Sequence, residues 1–163
     1  MKMIYKSIDP PQHRTRVTIK PQLMVSMTLQ PLLQVCTDAV ASCISAGLHP
    51  SEKISIDPSV NIKIRLWLDT ALFTEALVDL LGEAARRCER GSEILVSVSS
   101  TGIHGCRLNI SYFHKKIDKK SNDEPFVLHY HSNSRTREIV TQHQAAVSLR
   151  ETGRNVTIEV WFP

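Results

Sequence analysis

The stretch ALFTEALVDLLGEAARRC, residues 71–88, decides how the rest of the chain is read. Phe73, Leu77, Leu80, Leu81, Ala84 and Cys88 recur at three- and four-residue steps, the spacing of one helix face. Asp69 and Thr70 precede it as N-cap residues, and Gly91 stops it. A second pattern runs beside the apolar stripe. Glu75, Asp79, Glu83 and Arg86 share a polar face of the same helix. Like charges four residues apart repel, and Arg86 and Arg87 stand where they offset Glu83. The expectation is a solvated, mixed-charge face, with paired-carboxylate or metal chemistry at Asp79 and Glu83 as the other reading.

Strands are legible on either side. EILVSVSS (93–100), CRLNISYF (106–113) and NVTIEVWF (155–162) alternate apolar and polar residues. AAVSLR (145–150) joins the last of these through the turn ETGR, and TGIHG (101–105) reads as a hairpin loop. KISIDP (53–58), NIKIRLWL (61–68), TRVTIK (15–20) and FVLHY (126–130) are further strand candidates. A helix is expected from Leu32 to Ile44, with Pro31 as its first residue, and a short one over TREIVTQHQ (136–144). HKKIDKKSNDEP (114–125) reads as a charged, flexible loop. This order predicts an α+β, two-layer sandwich: a mixed, mostly antiparallel sheet covered on one face by about three helices. Residues 1–13, with Pro10–Pro11, read as an arm or linker, and 14–163 as one domain. Strand edges at 15–20 or 155–162 are expected to be free to pair in a homodimer.

The composition is that of a soluble globular domain: 163 residues, 42% hydrophobic, 22% charged. The segment MKMIYKSIDPPQHR has no signal-peptide pattern, and no apolar run reaches the length of a membrane span. Cys36, Cys43, Cys88 and Cys106 form no CxxC pair and read as buried reduced thiols of a cytoplasmic protein. There is no GxSxG elbow. His129 and His131 share a side of a strand without a nearby third ligand, and His104 with Cys106 is equally sparse, so no metal is expected. Two basic clusters stand out, RRCER (86–90) and HKKIDKK (114–120). The net charge of +4 and the scarcity of interleaved aromatics favour an acidic protein surface over nucleic acid as their partner.

Three segments carry a family resemblance. LWLDTALFTEALVDLLGEAARRCERGSEILVSVS has the strand, aspartate, helix, glycine and strand rhythm of the ATP-binding domain of the GHKL superfamily, and its histidine kinases above all. RLNISYFHKK resembles the strand leading to that family's DxGxG box, and REIVTQHQAAVSLRETGRNVTIEVWFP its closing helix, hairpin and terminal "LP". The resemblance runs from about residue 30 to the end and implies the Bergerat fold.

It also implies where nucleotide chemistry belongs, and there the chain departs from the pattern. The two box asparagines fall on Asp79 and Glu83, and the phosphate-contacting lysine on Arg86. The aspartate that reads adenine falls on His114, and a glycine that lets the backbone approach the ring falls on Lys116. No glycine occurs between Gly105 and Gly153, the interval that holds the family's phosphate-wrapping boxes, and HQAA (143–146) stands for HGG. His143 matches a structural histidine of the family. The helix from Leu32 to Ile44 contains no histidine, so this chain alone has no phosphoacceptor.

The expectation is a degenerate kinase-like domain without a cofactor. It would dock on a kinase, phosphotransfer protein, response regulator or sigma-type factor, as part of a longer sensor or as a stand-alone regulator. Arg86, Arg87, Arg90, Lys115, Lys116, Lys119 and Lys120 would form the docking patch. The alternative is an active ATPase or kinase that binds Mg-ATP weakly. In that reading Asp79 acts as base, Glu83 holds Mg²⁺, and Arg86, Lys115 and Lys116 cradle the phosphates.

Overall fold

The computed structural model describes residues 23–47, 53–57, 63–101, 105–115, 130 and 133–163. In chain order these form β1 (Thr28–Pro31), α1 (Leu32–Ser45), β2 (Lys53–Ile56), β3 (Arg65–Leu68), α2 (Thr70–Arg87), β4 (Glu93–Ser100), β5 (Cys106–Phe113), α3 (Ser134–Gln142), β6 (Ala146–Thr152) and β7 (Asn155–Phe162). Five strands make one sheet in the order β2-β4-β5-β7-β6, and β1 and β3 make a separate antiparallel pair. Only β2 runs parallel to its neighbour, β4; the other ladders of the five-stranded sheet are antiparallel.

Period-two alternation explains the two faces of the sheet. Val96 pairs with Ile110, Leu108 with Val160, and Ile110 with Ile158, all buried under the helices. The intervening residues, Ser97, Asn109, Thr157 and Glu159, lie on the other face. The helix layer closes the core. α1 contributes Leu32, Val35, Cys36, Ala39, Val40 and Cys43, and α2 buries the whole stripe from Phe73 to Cys88. Burial of each large apolar side chain contributes about 1.5–3 kcal/mol, which is why this stripe dictates the placement of α2.

Several boundaries differ from expectation. Pro31 ends β1 with extended ψ, and α1 begins at Leu32. Gly91 lies beyond the end of α2 in a positive-φ turn, and the helix stops at Arg87. The run 28–31 is a strand, because it pairs with β3, a non-local partner that local alternation does not reveal. Of 126–130 only Tyr130 is described, and its backbone is helical. Residues 15–20 lie outside the described part. The segment 155–162 is not an edge: β7 lies between β5 and β6, and the outer strands are β2 and β6. Among the described residues no helix is long and apolar enough to cross a membrane.

Candidate functional site

The site is built on α2 and what faces it. At its start, Asp69 Oδ1 accepts from the Leu72 N–H at 3.1 Å, and Oδ2 from the Ser26 N–H at 2.9 Å. The Ser26 amide, foremost, holds the Asp69 carboxyl below the usual carboxylate range. The Asp69 N–H in turn donates to His143 Nε2 at 3.0 Å, and His143 Nδ1 lies 2.7 Å from the Ile139 carbonyl. With Nε2 accepting, Nδ1 carries the proton, so the ring is neutral and both nitrogens are committed. His143 is buried, and its ring centroid lies 5.1 Å from that of Phe73. It acts as a clamp between the end of α3 and the start of α2.

The polar face of α2 meets solvent only in part: Glu75 and Arg86 are exposed, Asp79 is half-buried and Glu83 is buried. Glu75 meets Arg135 of α3 at 3.0 and 3.3 Å. Asp79 Oδ2 accepts from Asn133 Nδ2 at 3.0 Å and from Thr136 Oγ1 at 2.9 Å. Asn133 is the N-cap of α3, and its Oδ1 accepts from the Thr136 N–H at 3.2 Å. Asp79 therefore places its charge at the positive end of a helix dipole, the position that welcomes an anion. Glu83 is only 2% exposed. Its carboxylate is paired with Arg86 through one oxygen and with Arg87 through the other, the latter at 2.5 Å. The Arg87 side chain is 12% exposed and that of Arg86 61%, so Arg87 is an internal group and Arg86 bridges to the surface.

The other wall is the end of β5. The His114 N–H donates to the Arg154 carbonyl at 2.7 Å, and His114 Nδ1 lies 2.6 Å from the Lys115 carbonyl. The Lys115 N–H donates to the Arg87 carbonyl at 2.9 Å, and the Glu89 N–H to the Phe113 carbonyl at 2.7 Å. These bonds stitch β5 to the end of α2. Tyr112, one residue earlier on β5, is buried, its hydroxyl has no hydrogen-bond partner among the described residues, and burial pushes its phenol up. Arg90 is exposed and Lys115 half-buried. Lys116, Lys119, Lys120, His104, His129 and His131 lie outside the described residues. Among the described ones no three potential ligands gather as a metal site. The four cysteines are buried and free, and burial raises the Cys36 thiol to about 12 and Cys106 to about 11. A cavity of about 400 Å³, lined by Glu93, Leu95, Ser111, Phe113 and neighbours, includes none of Asp79, Glu83 or Arg86.

Solved structures share this fold. The Acinetobacter baumannii histidine kinase AdeS superposes with a TM-score of 0.65 at 14% identity, over 86% of this chain and 68% of that one. The catalytic domain of histidine kinase ThkA gives 0.62 at 13% identity, over 85% of this chain and 95% of that one. The chain has the fold of a histidine-kinase catalytic domain. ThkA has also been solved in complex with the response regulator protein TrrA, a structure that matches at 0.63 and 12% identity over 85% of this chain and 42% of that one. No family model matches the sequence. No curated protein matches it either.

Within this histidine-kinase fold, Asp79, Glu83 and Arg86 follow one another along α2, Asp79 against the start of α3, with His114 and Lys115 at the end of β5. The sequence did not point to Asn133, Thr136 or Arg135 as their partners. Those contacts span 54 to 60 residues and follow no local periodicity.

Proposed function

We propose that the chain is a degenerate histidine-kinase-like domain that works by protein contact in two-component or sigma-factor-type signalling in the cytoplasm, without efficient ATP binding. The observation that carries this reading is the state of Glu83. The resemblance puts it where the family holds Mg²⁺. Here it is buried and engaged on both oxygens by Arg86 and Arg87. Coordinating a cation would mean breaking an internal ion pair, and a paired buried charge is costly to separate. Asp79 adds to this by placing a carboxylate at the α3 N-terminus, where it repels a phosphate. We put ATP affinity weaker than ~1 mM.

The docking surface is the exposed part of the basic cluster, Arg86 and Arg90 with Lys115 beside them, continued by Lys116, Lys119 and Lys120 in sequence. Arg87 is excluded from it by its place beside Glu83. An acidic face of a response regulator, phosphotransfer protein, kinase or sigma-type factor suits such a patch, and the ThkA–TrrA complex is the precedent among similar folds. The fold itself favours a second reading, an active divergent ATPase or kinase. Thermal melting with Mg-ATP and Mg-ADP at ~5 mM separates the two, because a ligand bound only by the folded state raises the melting temperature. No shift supports the docking module. A shift lost in Lys115→Ala and Arg86→Ala, which leave Glu83 in place, supports the enzyme.

A further inference from the structure

β6 ends the five-stranded sheet, and its outer edge carries no strand among the described residues. The β6–β7 turn fixes which backbone groups face outward. Thr152 pairs with Asn155 across a two-residue turn, with Gly153 at φ +63° in its first position. The closing pair of such a hairpin exchanges hydrogen bonds, and bonded and non-bonded pairs then alternate. Thr152, Arg150, Ser148 and Ala146 therefore bond inward to β7, whereas Glu151, Leu149 and Val147 point their N–H and C=O groups out of the sheet.

Edges of this kind are normally blunted by shortness, proline, bulges or charged side chains, lysine above all. β2, at the opposite edge, is four residues long and begins with Lys53. β6 is seven residues long, pairs with β7 without a bulge, and contains neither proline nor lysine; of its two charges, Arg150 is turned to Glu159 of β7, which leaves Glu151. It is also held in register. Glu159 on β7 is buried and reaches Arg107 of β5 at 3.4 Å and Arg150 of β6 at 3.3 Å, with Ser148 at 3.3 Å. This ladder ties three strands together on the open face, so the edge is ordered before any partner arrives and less entropy is lost on pairing.

We propose that the β6 edge pairs antiparallel with the same edge of a second copy, giving a continuous ten-stranded sheet. The occupant follows from the pattern. Full overlap of the seven residues centres the two-fold axis on Leu149. It sets Leu149 opposite Leu149, Val147 opposite Glu151 and Ser148 opposite Arg150, so no like charges face each other. The outward-pointing residues meet one another, as an antiparallel ladder requires. The contact is small for a specific interface, so association is concentration-dependent.

Crosslinking tests it. Opposed residues of a hydrogen-bonded antiparallel pair have Cα atoms about 5.5 Å apart, inside the range a disulfide spans. Leu149→Cys is expected to give a covalent dimer under mild oxidation, with the four native thiols buried and silent. Glu151→Pro is the second variant. It removes an outward N–H that β7 does not use, leaves an exposed side-chain position, and is expected to shift sedimentation of the otherwise unaltered chain to monomer. A folded Leu149→Cys protein that stays uncrosslinked overturns the proposal. So does a wild-type chain that sediments as a monomer at ~1 mM, or a dimer unaffected by Glu151→Pro.

Discussion

Replacing Glu83 by alanine separates a structural carboxylate from a metal ligand. In the folded protein this side chain is 2% exposed and shared by Arg86 and Arg87. Its removal affects the two arginines unequally. Arg86 is 61% exposed and is rehydrated by solvent, so its share is about 0–1 kcal/mol. Arg87 is 12% exposed and has little solvent to replace the lost carboxylate. Removing one member of a buried pair costs about 3–5 kcal/mol. For a domain of this size each kcal/mol lowers the melting temperature by roughly 2–4 °C, so Glu83→Ala is expected to lose about 6–20 °C. Glu83→Gln, which keeps the volume and one of the two acceptor oxygens, is expected to lose less. Calorimetric melting without nucleotide reads both. A site kept open for Mg²⁺ behaves in the opposite way, because an unpaired carboxylate is a burden on the empty fold. A Glu83→Ala melting temperature equal to or above wild type would refute the ion-pair account.

Asp79→Ala removes the acceptor for Asn133 and Thr136 and the charge at the start of α3; it is expected to cost about 1–3 kcal/mol in denaturant unfolding and to speed amide exchange within 134–142. His143→Ala strips the Asp69 N–H of its acceptor, with an expected loss of at least about 1–3 kcal/mol and early exchange at the Asp69 amide. Asp69, whose folded carboxyl titrates below its unfolded value of about 3.9, contributes stability that is complete above that value and fades as pH falls through the lower folded one. Acid unfolding of Asp69→Ala is expected to lack that part of the pH dependence.

What was legible in the sequence was whatever local periodicity encodes. β4, β5 and β7 appear at the residues their alternation marks, and α2 buries its stripe from Phe73 to Cys88, because in each case one face must leave water. Long-range pairing was not legible. β1 is a strand only through β3, and the edge passes from 155–162 to β6 because β7 inserts beside β5. The site divides in the same way. The grouping of Asp79, Glu83 and Arg86 on one helix face follows from their spacing. That Asp79 holds the start of α3, through Asn133 and Thr136, depends on α3 arriving from over fifty residues away. The sequence contains Asn133 and Thr136 but nothing local ties them to α2.

The most direct measurement is a calorimetric titration of the folded chain with Mg-ATP. The account predicts no saturable heat below ~1 mM, equivalent to less than about 4 kcal/mol of binding free energy. Saturation in the micromolar range, abolished when Mg²⁺ is chelated, would contradict it, for it would mean that Glu83 releases its arginines to a cation and that the polar face of α2 still holds nucleotide.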